Sequence, residues 1–76
     1  MIFDEVKEIL VDQLEINEDD VEITADLMDD LGADSLDMID IAMTVEDQYS
    51  IELPDDVIKT LKTVEDLVSY IESNID

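Results

Sequence analysis

The chain has 76 residues, with 24 aspartates and glutamates against three lysines (Lys7, Lys59 and Lys62), no histidine and no cysteine, giving a formal net charge of −21. Disulfides and metal centres built on imidazole or thiolate are excluded, and nucleic acid or an anionic membrane would be repelled by so acidic a surface. The partners that fit this charge are basic patches on other proteins, because complementary fields speed encounter.

Acidity of this order often accompanies disorder, but 46% of the residues are apolar and fall in periodic patterns, so a folded chain is expected. So short a chain buries only roughly 60% of its unfolded surface and is read as one domain over residues 1–76. Met1-Ile2-Phe3-Asp4-Glu5 has neither a basic segment nor a long apolar run. No signal peptide or membrane span is read there, and the cytoplasm is the expected location.

Ile2, Phe3, Val6, Ile9, Leu10 and Leu14 recur at helical spacing, predicting a first amphipathic helix over about 2–15. From Ile16 to Ala33 the periodicity weakens. Asn17 to Asp20 read as a solvated acidic turn, Val21, Ile23, Leu27 and Leu31 as apolar pins, and Thr24 to Asp30 as a short helical turn. A connection this long in so small a domain is a candidate functional loop. Gly32, the sole glycine, suits a backbone conformation or close approach that a side chain forbids.

A second helix is expected from Ser35 to Tyr49, capped by Asp34 with Asp37 three residues on. Met38, Ile41, Ala42, Val45 and Tyr49 form one apolar stripe, assigned to the core. At roughly 100° per residue, Leu36, Ile39 and Met43 form a second strip. Asp40 and Asp47 lie on one border of it and Glu46 on the other. An apolar strip rimmed by carboxylates reads as a docking face. Pro54 ends any extension of this helix. Asp55 to Leu61 suit a short third helix, and Thr63-Val64-Glu65-Asp66 opens a fourth over about 64–74. The expected architecture is all-α, a small four-helix bundle with a long loop after the first helix.

Ser35 is the residue with chemical promise, yet nothing in the sequence activates it. A nucleophilic serine needs a base, there is no histidine, and the three lysines read as surface residues, so an enzyme is not expected. Spacing alone favours a capping serine. Asp34 already supplies the cap, however, which leaves Ser35 as the first helical residue with its hydroxyl exposed. A helix N-terminus favours an attached phosphate, so Ser35 reads as an acceptor for a phosphodiester placed by another enzyme. The neighbouring acids oppose that phosphate and make better contacts for the modifying enzyme. An EF-hand fails on register: counting from Gly32 puts Leu27, Leu31 and Met38 at the first, fifth and twelfth positions. No specific metal site is read. Weak divalent binding is weighed for Asp29 with Asp34 and Asp37, and for Glu46 with Glu52 and Asp55, against diffuse counterions alone.

Leu31-Gly32-Ala33-Asp34-Ser35-Leu36-Asp37 resembles the prosthetic-group attachment motif of bacterial-type acyl carrier proteins of fatty acid synthesis. The similarity extends over length, acidity, helix pattern and Ile51-Glu52-Leu53-Pro54-Asp55. The resemblance implies that Ser35 receives 4'-phosphopantetheine from coenzyme A through a phosphopantetheinyl transferase. The thiol of that arm then bears acyl chains as thioesters, supplying chemistry the cysteine-free chain lacks. It also implies a likeness of role for Asp34, Asp37, Asp40, Glu46, Asp47 and Asp55 as contacts to Lys/Arg patches of fatty acid synthesis enzymes, with Leu36, Ile39 and Met43 as apolar contacts. By the same resemblance the core stripe, with helices one and four, would line an acyl cavity, and the protein would act as a monomer. Two other readings stand beside it: a carrier for polyketide, peptide or other acyl-activation pathways, and an acidic adaptor or cation-binding module without a cofactor.

Overall fold

The first helix, α1, spans Ile2–Leu14 and stops one residue before the spacing predicts, because Glu15 turns to a left-handed φ of 55°. The computed structural model describes residues 2–75; Met1, which begins the N-terminal segment read above, and Asp76 lie outside the described residues. Three further helices follow: α2, Ser35–Tyr49; α3, Asp55–Ile58; and α4, Val64–Asn74. The all-α expectation holds.

The periodicity translates directly into the core. α1 buries Val6, Ile9 and Leu10, α2 buries Met38, Ile41, Ala42 and Val45, and α4 buries Val64, Leu67, Val68 and Ile71. α1 packs against both α2 and α4. Polar ties fix α1 antiparallel to α2. The Tyr49 hydroxyl donates to Glu5 Oε1 at 2.7 Å, and Gln13 Nε2 donates to Thr44 Oγ1 at 3.0 Å. Tyr49 is only half-buried, but desolvation and the adjacent Glu5 carboxylate push its pKa up to about 12.

The connection from α1 to α2 is built rather than loose. The acidic turn is one turn of 3-10 helix, Glu18–Asp20, with all three residues exposed. Val21, Leu27 and Leu31 are buried as expected, and so are Ala25 and Ala33. The helical turn expected over 24–30 is a single hydrogen-bonded turn shifted two residues on. Asp30 and Leu31 N–H donate to the Asp26 carbonyl and Gly32 N–H to Met28, while the Asp26 carboxylate caps the N–H groups of Met28 and Asp29. Before this turn the loop zips onto the start of α4. Leu27 N–H donates to the Lys62 carbonyl at 2.8 Å, Val64 N–H to Ala25 at 3.0 Å and Glu65 N–H to Ile23 at 2.9 Å. Asp26 and Thr63 form an isolated antiparallel bridge at the centre of this seam.

The third helix is shorter than expected, ending at Ile58 rather than Leu61. The chain tightens there into bonds three residues apart, Thr60 N–H to Val57 and Leu61 N–H to Ile58, and the Thr60 hydroxyl takes the Val57 carbonyl at 2.7 Å. This turns the chain so that Leu61 enters the core. The segment before α3 is held from two sides. Leu53 N–H donates to Glu46 Oε2 of α2 at 2.7 Å, and the Tyr70 hydroxyl of α4 donates to the Glu52 carbonyl at 2.8 Å.

Candidate functional site

Ser35 is exposed and is the first residue of α2. Its seat is rigid. Ala33, two residues before it, is buried and donates its N–H to the Leu27 carbonyl at 3.0 Å. Gly32 has a φ of +77°, with nothing within 4 Å of where a Cβ would stand. Its role is therefore the left-handed backbone and not close approach. Asp34 then caps the helix through a complete capping box: Asp37 N–H donates to Asp34 Oδ1 at 2.9 Å and Asp34 N–H to Asp37 Oδ2 at 3.1 Å. The N–H groups of Ser35 and Leu36 stand at the positive end of the helix with no partner inside it. The arrangement sets an exposed hydroxyl at a positive helix end.

Ser35 also lines a cleft of about 350 Å³. Met28 of the loop forms one side, Met38 and Ile39 of α2 another, and Asp55, Ile58, Lys59 and Leu61 the third. The acyl cavity implied by the resemblance runs along the core stripe with helices one and four; this cleft is a separate concavity between the loop, α2 and α3, and no residue of α1 or α4 lines it. The core stripe itself is closely packed. Val6 and Leu10 of α1, Ile41 and Val45 of α2, and Leu67 and Ile71 of α4 are all 1% exposed or less. Of the stripe, only Met38 reaches the cleft. A second concavity of about 400 Å³, between α1 and Glu18, is lined mainly by charged groups and lacks Ser35.

The second apolar strip of α2 is exposed as its spacing demands. Leu36 is 71% exposed, Ile39 42% and Met43 59%, with Asp40, Asp47 and Asp55 exposed. Met28, 49% exposed, adds to this apolar surface from the loop, where no periodicity marks it. Glu46 differs from its acidic neighbours. It is half-buried, and one carboxylate oxygen is engaged by Leu53 N–H, so it holds the chain before α3 as well as bordering the strip. Among the described residues no three acids converge in a way able to hold a metal ion. Asp34 and Asp37 are engaged with each other's backbone.

Residues 4–71 match the family model described as phosphopantetheine attachment site. The chain is 44% identical over 73 residues to the acyl carrier protein of Wolinella succinogenes, covering 96% of each chain. It is 41% identical over 75 residues to that of Clostridium perfringens, covering 99% of each. The acyl carrier protein of Bdellovibrio bacteriovorus is 45% identical over 71 residues, 93% of this chain and 91% of the other. No helix among the described residues is long and apolar enough to cross a membrane. With the family model spanning most of its length and these relatives spanning nearly all of it, the chain belongs to the acyl carrier protein family, whose members are phosphopantetheine-bearing carriers and not catalysts.

Proposed function

We propose that Ser35 is the attachment point of 4'-phosphopantetheine and that the protein carries growing fatty acyl chains between the enzymes of fatty acid synthesis in the cytoplasm, as a monomer. One observation carries this reading: an exposed serine opens a firmly capped helix and borders an apolar-walled cleft. In the transfer, the Ser35 oxygen forms a bond to the phosphorus of coenzyme A that bears pantetheine. The bond from that phosphorus to the nucleotide breaks, and the serine proton passes to a base on the transferase. The terminal thiol of the attached group supplies the thioester linkage. The chain's own residues do the rest. The Ser35 and Leu36 N–H groups favour the phosphate oxygens. Met38, Ile39, Ile58 and Leu61 offer an apolar wall to an acyl chain. Leu36, Ile39 and Met43 meet the apolar centre of a partner's surface. Asp34, Asp37, Asp40, Asp47 and Asp55, together with the second oxygen of Glu46, meet its lysines and arginines.

Intact-mass measurement after incubation with coenzyme A and a promiscuous phosphopantetheinyl transferase tests the assignment. The wild type gains the mass of one phosphopantetheine. Ser35→Ala gains none, yet melts like the unmodified wild type, since Asp34 and not Ser35 makes the cap. Labelling that survives in Ser35→Ala overturns it.

A further inference from the structure

We propose that Lys59 is the protein's own counter-charge for the phosphodiester on Ser35, a positioning residue that draws the base of the arm towards the cleft. The inference rests on Ser35 being the attachment point.

The chain has only three cations to set against 24 acids, so where each one stands is informative. Lys7 lies on α1, its Nζ 5.0 Å from the centre of the Phe3 ring. Lys62 sits at the seam, where its positive charge helps lower the pKa of Asp66. Lys59 alone among the lysines lines the cleft that Ser35 lines. Its backbone is fixed: it is the C-terminal cap of α3, and its N–H is bonded to the carbonyls of Asp55 and Val57. It shares the cleft lining with Ile58 and Leu61 and is exposed, and a lysine so placed can lay its methylene stem on apolar surface while its ammonium stays in water.

The charge balance of the cleft points the same way. Asp55, one turn before Lys59, is the sole carboxylate on the lining. The two charges offset one another until a phosphodiester adds a further negative charge at Ser35. That charge would otherwise face Asp34, Asp37 and Asp55 with only the helix end to favour it. A lysine on the lining of the same cleft answers the opposition between phosphate and neighbouring acids that the sequence poses.

A modification cycle tests this. Thermal midpoints are compared for the wild type and Lys59→Gln, each with and without the arm, in buffer of roughly 10 mM ionic strength, where charges act over a long range. Intact mass first verifies loading. The change in midpoint on loading is expected to be about 2 °C less favourable in Lys59→Gln than in the wild type, the scale of one exposed ion pair in a domain of this size. Roughly 1 M salt should erase the difference. Lys62→Gln, which removes the same charge away from the cleft, should respond to loading as the wild type does. The ³¹P resonance of the loaded protein should move at low salt in Lys59→Gln and stay in place in Lys59→Arg. Equal loading responses in the wild type and Lys59→Gln, or an equal effect of Lys62→Gln, overturn the role of Lys59 alone. Failure of the wild type to gain the arm's mass overturns the attachment reading and this one with it.

Discussion

α2 and α4 begin with the same device and put it to opposite uses. Asp34 with Asp37, and Thr63 with Asp66, are both complete capping boxes. At α4 the next two N–H groups, Val64 and Glu65, are taken by carbonyls of the long loop, and Val64 is fully buried. At α2 the corresponding residues, Ser35 and Leu36, are exposed. A capped helix start is thus neutral as to purpose: covered by chain it becomes a structural seam, and left open it becomes a place where another molecule can act.

The largest expected contrast lies between Leu27 and Leu36. Leu27 is 0% exposed and bonds the seam through its N–H, so Leu27→Ala should cost about 2–5 kcal/mol in denaturant unfolding. Leu36→Ala should change stability by only about 0.5 kcal/mol, while weakening capture by a basic partner enzyme in a binding assay. Equal stability losses would break the distinction. Next comes the cap itself. Thr63→Ala should cost about 1 kcal/mol and leave the rate of phosphopantetheine transfer unchanged. Asp34→Ser keeps a capping oxygen, so it should preserve stability while slowing transfer, as measured by mass over time. The smallest effect is in pH. Backbone N–H groups of Lys62 and Thr63 hold the Asp66 carboxyl below its ordinary 3.8. A lowered folded-state pKa contributes stability above the unfolded value and loses it as pH falls through the folded one. The stability gap between wild type and Asp66→Asn should therefore be full above pH 3.8 and close in more acidic solution, as read by thermal melts across that range.

The helices were legible because their periodicity is a direct record of burial: Val6, Ile9 and Leu10 on α1, and Met38, Ile41, Ala42 and Val45 on α2, are where the spacing places them. The exposure of Ser35 and of the strip of Leu36, Ile39 and Met43 was legible for the complementary reason, these being positions left off the core face. The loop was not. Its order comes from carbonyls of Ile23 and Ala25 bonding residues some forty positions on, and backbone groups carry no sequence signature. The cleft beside Ser35 was not legible because α3 is short and buries nothing fully, so its wall depends on the turn at Lys59 to Leu61 rather than on any periodic stripe. Glu46 resembles every other acid on α2 in sequence. Only the position of Leu53 N–H gives it a second task, which makes Asp40 or Asp47 the cleaner site for a charge reversal aimed at docking.

The seam also bears on how the chain finds its fold. Helix turns form within microseconds from near neighbours, but the Ala25–Val64 and Ile23–Glu65 bonds must close a loop spanning α2 and α3, a cost in chain entropy met only when both ends are in place. The bed on which Ser35 rests is therefore expected to be assembled last and to open first. Amide hydrogens of Leu27, Val64 and Glu65 should exchange with solvent sooner than those of Leu10 or Val45, so the seam that supports the serine should part before the packing of α1 on α2.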